Sequence, residues 1–392
     1  MKILRIIPSM DPKRGGPCQG IRNAVPALSK LGVETEVVCF NEVDSAFIKN
    51  DPFQIYTLGK PTNAWGYNKK FIPWLIANFI KFDVVIIHGL WLYQSQASIK
   101  AMLTYRKTNK SFPKIYVMPH GMLDPYFQTA KDRKLKALRN DIYWKLFENK
   151  VINQADGILF TCEEELLLAR TTFPNYKPKR EINVGYGIQP PPAANENMKQ
   201  AFRSTLPNWN GKPFLLFLSR IHPKKGVDML INAYKKLEQE LDDLPQLIIA
   251  GPNEHTYGIE MKKLAESSAN ILFAGMLSGD AKWGAFYESE AFVLPSHQEN
   301  FGIAVVEALA CNTPVLISNK VNIWREIENG NGGIIANDTE KDSYHLLKQW
   351  ITLTKEQKED MALKAYKIYD CHFTMQKAAI QYLEGINIKV TK

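Results

Sequence analysis

Two short stretches carry side chains suited to gripping a phosphorylated, hydroxyl-rich molecule. The first runs His297-Gln298-Glu299-Asn300-Phe301-Gly302-Ile303 and on to Glu307. It follows an apolar run ending at Pro295 and opens a helical pattern that reaches about Ala310. A strand–turn–helix junction with Gly302 at the turn presents backbone N–H groups at the helix start, where the helix dipole also favours a phosphate. Glu299 falls in the loop and Glu307 more than one turn inside the helix, so the two carboxylates can flank one bound molecule and accept hydrogen bonds from its hydroxyls. A loop acid beside a solvated helix acid is the ordinary meaning of such a pair; the Phe301-Gly302 step and the strand context weigh against it. The second stretch is Ser219-Arg220-Ile221-His222-Pro223-Lys224-Lys225-Gly226, between the strand-like Phe214–Leu218 and a helix over Val227–Leu237. Arg220 can bind phosphate oxygens through two N–H groups, and Lys225 adds a point charge at another helix start. A solvated basic turn is the alternative, weakened because both stretches close strands of one sheet, the edge at which open α/β folds bind ligands.

The N-terminal half offers weaker signals. Gly15-Gly16-Pro17 lies between the first strand and a helix, and glycine there allows close backbone approach to a ligand; an isolated Gly-Gly is more often only a turn. Two strands end in His-Gly, at His88-Gly89 and at His120-Gly121. One strand-end histidine is as often structural as functional, whereas two in one half point to a site.

The elements that must position these residues alternate strand and helix throughout, the pattern of parallel α/β sheets. Strands are expected at 3–8, 34–40, 83–88, 114–119, 156–161 and 182–184, and, in the second half, at 214–218, 246–250, 271–273, 291–294 and 314–317. Amphipathic helices are expected over 21–31 and 92–104. Several strands are continuous Val/Ile runs, as when both faces of a sheet are covered. Between the halves Gln189-Pro190-Pro191-Pro192 can continue neither a helix nor a central strand and reads as a hinge. The expected organisation is one Rossmann-like domain over 1–188 and a second over 195–372, facing a cleft, with a C-terminal helix at about 373–392 returning to the first domain.

Leu218-Ser219-Arg220 with Lys225-Gly226, then Glu299 and Glu307, then Ala308-Leu309-Ala310-Cys311-Asn312-Thr313-Pro314-Val315, together resemble glycosyltransferase family 4. The resemblance implies a retaining transferase of the GT-B fold, its N-terminal domain acceptor-binding and its C-terminal domain binding a nucleotide-sugar donor. Arg220 and Lys225 would hold the diphosphate, Glu307 the ribose hydroxyls and Glu299 the donor sugar, with Phe301, Gly302 and Ile303 giving backbone contacts nearby. Gly251 and Leu277 match places where such enzymes meet the base. Pro119-His120-Gly121-Met122-Leu123 resembles the family's active-site histidine segment, so His120 would hydrogen-bond the transferred sugar or the attacking hydroxyl, and His88 would line the acceptor side. Catalytic roles thus fall to His120, Glu299, Arg220 and Lys225. The reaction usually proposed is a front-face one, in which leaving phosphate helps deprotonate the acceptor and the two cations stabilise the leaving diphosphate.

Composition bounds the alternatives. The 392 residues carry a net charge of +9, with 45% hydrophobic and 23% charged residues, enough for two globular α/β domains. No apolar stretch is long enough to span a membrane, and the N-terminus lacks a signal peptide's pattern, so a cytoplasmic protein is expected. Five cysteines without C-x-x-C spacing suggest neither a disulfide framework nor a zinc site. There is no Asp-x-Asp, which agrees with neither cofactor nor metal being needed beyond the donor itself. The positive charge fits a nucleic acid, an anionic membrane or a polyphosphate-bearing substrate; no nucleic-acid-binding motif is recognisable. From Lys131 to Lys150 basic residues interleave with Tyr143, Trp144, Leu146 and Phe147. That stretch is either an amphipathic helix packed on its own sheet or one that lies on an anionic membrane near a lipid-linked acceptor. The expected activity is transfer of a hexose or uronic acid from a uridine diphosphate sugar to a glycan in bacterial surface-polysaccharide assembly. A nucleotide-sugar hydrolase or epimerase and a non-catalytic nucleotide-sugar sensor are the competing readings.

Overall fold

A computed structural model describes residues 1–130, 133–207 and 209–387. The chain divides into two compact units: Met1–Gly187 together with the segment from Met375 on, and Ile188–Thr374. The division falls at Gly187, ahead of the proline run, and Tyr287 donates a 2.8 Å hydrogen bond to the Pro192 carbonyl. The prolines expected to form a hinge are therefore tied to the second unit at Pro192.

The first unit is built on seven strands: β1 (Lys2–Ile6), β2 (Glu34–Cys39), β3 (Ile55–Thr57), β4 (Val84–His88), β5 (Lys114–Met118), β6 (Gly157–Phe160) and β7 (Glu181–Asn183). They lie in the order β3-β2-β1-β4-β5-β6-β7, and every pairing is parallel. β4 is buried along its whole length, because helices cover both faces of the sheet and Val84-Val85-Ile86-Ile87 has no polar side to turn outward. The helix Gly16–Lys30 takes Pro17 in its first turn and buries Cys18, Ile21, Val25 and Leu28, a spacing that keeps them on one face. The C-terminal helix Met375–Gly385 sets Ala379, Tyr382 and Leu383 into the same core as Ile3, Leu28, Ile182 and Val184. Burying Leu383 alone contributes about 1.5–3 kcal/mol.

The second unit has six strands: β8 (Phe214–Leu218), β9 (Gln246–Ala250), β10 (Ile271–Gly275), β11 (Ala291–Leu294), β12 (Val315–Ser318) and β13 (Gly333–Ala336), ordered β10-β9-β8-β11-β12-β13 and again all parallel. β3 and β13 are edge strands that the sequence reading did not anticipate. The stretch from Lys131 to Lys150 begins with two residues outside those described, then forms a helix Lys134–Tyr143, a π turn Trp144–Glu148 and the start of a helix Asn149–Gln154. Residues 388–392 at the end of the expected C-terminal helix also lie outside the described residues.

Four of the cysteines are buried, Cys371 is exposed, and all five are free thiols. No helix among the described residues is long and apolar enough to cross a membrane.

Candidate active site

In each sheet the strand order reverses once, and the crevice at such a reversal is where open parallel sheets bind ligands. In the second unit it lies between β8 and β11. The loop after β8 carries Arg220 and Lys225, the loop after β11 carries Glu299, and these loops are joined backbone to backbone. The His297 N–H and the Ser296 hydroxyl both donate to the Lys224 carbonyl, at 2.8 and 3.0 Å. Gly226, at φ 66°, caps the helix Val227–Glu238, and a Cβ there would stand 2.3 Å from the Pro295 carbonyl oxygen. Only glycine fits both the left-handed turn and the contact.

Across this junction the buried Lys225 ammonium forms an ion pair with Glu299, and Lys224 Nζ donates to Gln298 Oε1 at 2.5 Å. Burial pushes the Glu299 carboxyl up, but Lys225, Lys224 and Arg220 outweigh burial and hold it below the usual carboxylate range. Glu299 is a fixed anion inside a ring of cations. Its backbone is tied on both sides, by its N–H to the Lys320 carbonyl and by its own carbonyl to the Asn322 N–H, at 2.8 and 2.9 Å.

Gly302, at φ 77°, caps the helix Ile303–Ala310. Phe301 is buried against Phe373, so what it can offer a ligand is backbone. Glu307 pairs at 2.8 Å with Lys282, from the helix Gly279–Glu288, a partner absent from the sequence reading. Gly251 donates its N–H to Gly275 at 2.7 Å, bringing together the ends of β9 and β10, while Leu277 is buried and Met276 exposed. Arg220, Lys225, Gly251, Leu277 and Glu299 therefore follow four neighbouring strands at one edge of the sheet. His297 is held by Asp338 at 3.0 Å, and that hydrogen bond raises its pKa against the opposing effect of burial.

In the first unit the reversal lies between β1 and β4. Here the two histidines meet: His88 Nδ1 is 2.8 Å from His120 Nε2, and the rings stack at 5.1 Å. On its other side His88 Nε2 faces an Arg5 guanidinium nitrogen at 3.3 Å. Arginine only donates, so His88 Nε2 must accept, and His88 carries its proton on Nδ1 and donates it to His120 Nε2. His120 then holds its own proton on Nδ1, as a hydrogen-bond donor. Burial, the neighbouring His120 and Arg5 push the His88 pKa well down; burial and Arg5 push that of His120 down to about 4. Both rings are neutral near pH 7. His88, expected to line the acceptor side, stands in the wall of the neighbouring cavity, and with both its nitrogens engaged it fixes the orientation of His120.

Two carboxylates missed by the sequence reading anchor the histidine loops. Glu165, at the start of the helix Glu163–Thr172, accepts from the Gly121 N–H at 2.5 Å and from the Thr161 N–H and hydroxyl, holding the turn in which His120 adopts φ 54°. Glu148 accepts from the Trp91 N–H and the Ser95 hydroxyl, both at 2.8 Å, behind the His88-Gly89 turn. Burial drives its pKa up to about 7. The only signal for Glu165 was a glutamate run just after a strand; Glu148 had none.

A cavity of about 690 Å³ opens beside this cluster, with His88, Asn41, Asp11, Glu42 and Gln94 in its wall. Both side-chain amide atoms of the buried Gln94 lack a protein partner. At Gly15 and Gly16 nothing stands within 4 Å of where a Cβ would be. At Gly15 the φ of 91°, not crowding, calls for glycine.

Residues 198–368 match the family model described as Glycosyl transferases group 1. The second unit carries a glycosyl transferases group 1 domain. Among curated proteins, the D-inositol 3-phosphate glycosyltransferase of Rhodococcus opacus is 26% identical over 161 residues, covering 39% of this chain and 35% of that protein. The chain aligns with less than half the length of the first curated relatives it matches, 46% and 35%. Among solved structures, Anabaena HepE in complex with UDP and glucose matches with a TM-score of 0.72 and 17% identity, covering 98% of this chain and 99% of that one. The sucrose-phosphate synthase of Thermosynechococcus elongatus matches with a TM-score of 0.68 and 16% identity, covering 98% and 97%. With its two Rossmann-like parallel sheets, the chain has the GT-B fold.

Proposed function

We propose that this chain is a retaining, metal-independent glycosyltransferase of family 4. It moves a hexose or uronic acid from a uridine diphosphate sugar, such as UDP-glucose or UDP-glucuronate, to a glycan or lipid-linked glycan in bacterial surface-polysaccharide synthesis. The observation that carries the reading is the convergence of Arg220, Lys225 and Glu299 on the β8–β11 crevice of a glycosyl transferases group 1 domain. That HepE has been solved with UDP and with UDP-glucose supports a uridine donor.

On this reading Lys225 and Arg220 take the charge developing on the leaving diphosphate, in a site already organised before the donor arrives. Glu299 keeps Lys225 charged and in place while accepting from the sugar hydroxyls; Glu307 does the same for the ribose. The acceptor belongs to the first unit, where the unpartnered Gln94 amide, Asn41 and two carboxylates suit a hydroxyl-rich group. His120, locked as a neutral Nδ1 donor, hydrogen-bonds the transferred sugar or the attacking hydroxyl. A front-face reaction needs no protein nucleophile.

The test is a thermal-shift panel of nucleotide sugars, then product analysis with the best binder. Glu307→Ala should weaken UDP binding about 10-fold or more, the worth of a charged hydrogen bond. Glu299→Ala and His120→Ala should lower kcat more than affinity. Wild-type turnover in either glutamate variant overturns the assignment.

A further inference from the structure

The helix Lys134–Tyr143 and the π turn after it leave four large aliphatic side chains in solvent: Leu135 is 85% exposed, Leu138 58%, Ile142 50% and Leu146 56%. Single exposed leucines need no explanation, but four that share one face do. At 100° per residue Leu135, Leu138 and Ile142 fall within an arc of about 60°, with Lys134 beyond one margin and Arg139 beyond the other. Lys136, Lys145 and Lys150 are also exposed around the stripe, against a single exposed acid, Asp141, among the described residues of 133–150. The opposite face is fully used: Ala137, Asn140 and Trp144 are buried, and Trp144 stacks on Phe173 at 4.7 Å and donates to the Pro174 carbonyl. The stripe therefore has no role in the unit's own core.

We propose that this face docks on an anionic phospholipid bilayer, the aliphatic stripe entering the headgroup–acyl boundary and the flanking cations meeting lipid phosphates. An amphipathic helix with aliphatics between two basic margins is the arrangement that binds such an interface. A nucleic acid fits less well, because single strands are held by stacked aromatics. Here the aromatics of the stretch are turned inward: Trp144 is buried, and Tyr143 and Phe147 pack around Trp65. A second copy of the chain would find a row of like charges along both margins.

Co-sedimentation of the full chain with vesicles, without donor or acceptor, tests the proposal separately from the assignment of activity. The protein should bind phosphatidylcholine vesicles containing roughly a third phosphatidylglycerol, should not bind phosphatidylcholine alone, and should be released by salt. At about 1 kcal/mol per cation, the triple variant Lys134→Glu, Arg139→Glu, Lys145→Glu should bind at least about 100-fold more weakly. Leu135→Ser, Leu138→Ser, Ile142→Ser and Leu146→Ser combined should abolish the binding that survives moderate salt. All the changed side chains are exposed, so both variants should keep the wild-type circular dichroism and melting temperature. No binding to anionic vesicles, equal binding to neutral ones, or wild-type binding by either variant overturns the proposal. So does a dimer in solution that the serine variant dissolves, or an RNA affinity in place of vesicle binding.

Discussion

The Glu148→Gln substitution isolates one buried charge. Glu148 sits on the π turn with one carboxylate oxygen accepting from the Trp91 N–H and the Ser95 hydroxyl and the other, Oε2, buried without a partner. Burial lifts its pKa from about 4.5 to about 7 against the opposing effect of those two hydrogen bonds. An acid whose folded pKa is raised binds its proton more tightly in the folded state, so stability falls as pH rises from about 4.5 to about 7 and stays low above that. Linkage with those two values gives a loss on the order of 2–3 kcal/mol between pH 5 and pH 8. Glutamine keeps the acceptor for Trp91 and Ser95 but cannot ionise. Its amide nitrogen, placed where Oε2 was, adds a cost that does not vary with pH. The histidines work in the opposite direction: with pKa values pushed down, His88 and His120 remove stability as pH falls below about 6.5. Their contribution is common to both proteins and cancels in the difference. The measurement is urea unfolding of wild type and variant at several pH values, with hydrogen exchange at the Trp91 amide locating the effect in the first unit. The variant should gain on the order of 2–3 kcal/mol relative to wild type from pH 5 to pH 8. Parallel pH profiles would refute the claim that burial raises the Glu148 pKa.

Lys225→Met should weaken UDP binding about 10- to 100-fold by calorimetry, because it removes one charged donor worth about 1.5–3 kcal/mol. It also leaves Glu299 with burial less opposed, so the carboxyl should titrate higher; an unchanged UDP affinity would separate Lys225 from the phosphate. Arg5→Met removes a buried guanidinium that contacts His88 and the Tyr382 ring but no carboxylate among the described residues. The fold should survive, since a buried charge replaced by an apolar chain of similar length is often neutral or stabilising. Nitrogen NMR should then show His88 and His120 no longer confined to their Nδ1–H forms; unchanged tautomers would sink the assignment through Arg5.

What could be read from the sequence follows from where the physics is local. β8, β9 and β11 coincide with the expected strands residue for residue, because a strand buried on both faces is apolar almost throughout, Gln246 at the start of β9 being the polar exception among the three. β3 was missed because all three of its residues are half-buried at a sheet edge, so Ile55-Tyr56-Thr57 shows no sustained pattern. β13 was missed because it opens on Gly333, where a Cβ would stand 2.1 Å from the Val315 carbonyl oxygen. Glycine there answers a close approach by the neighbouring strand, which no local window contains. The basic stretch at 134–150 showed its amphipathic character but not its orientation. Aromatics and aliphatics were equally good candidates for the inner face until Phe173 and the Pro174 carbonyl claimed Trp144.

The site divides along the same line. Arg220, Lys225, Glu299 and Glu307 stand out in the sequence because, on the proposed function, a phosphate-binding loop places its cations and amides within a few residues of a strand end. The groups that fix their state come from elsewhere: Lys282 is 25 residues from Glu307, Arg5 83 from His88, and Glu165 44 from Gly121. Each is a charge, or the answer to one, brought near by the sheet order. Burying Lys225 with Glu299 costs desolvation that an apolar pair would avoid, so stability alone gives no reason for it. The proposed function supplies one: a crevice that receives an anion needs the ammonium present, charged and immobile before the ligand arrives. The first unit solves a different problem with the same means. Its buried cation, Arg5, has no carboxylate partner among the described residues and instead orders two neutral imidazoles, turning a fixed positive charge into a fixed direction of hydrogen bonding at His120.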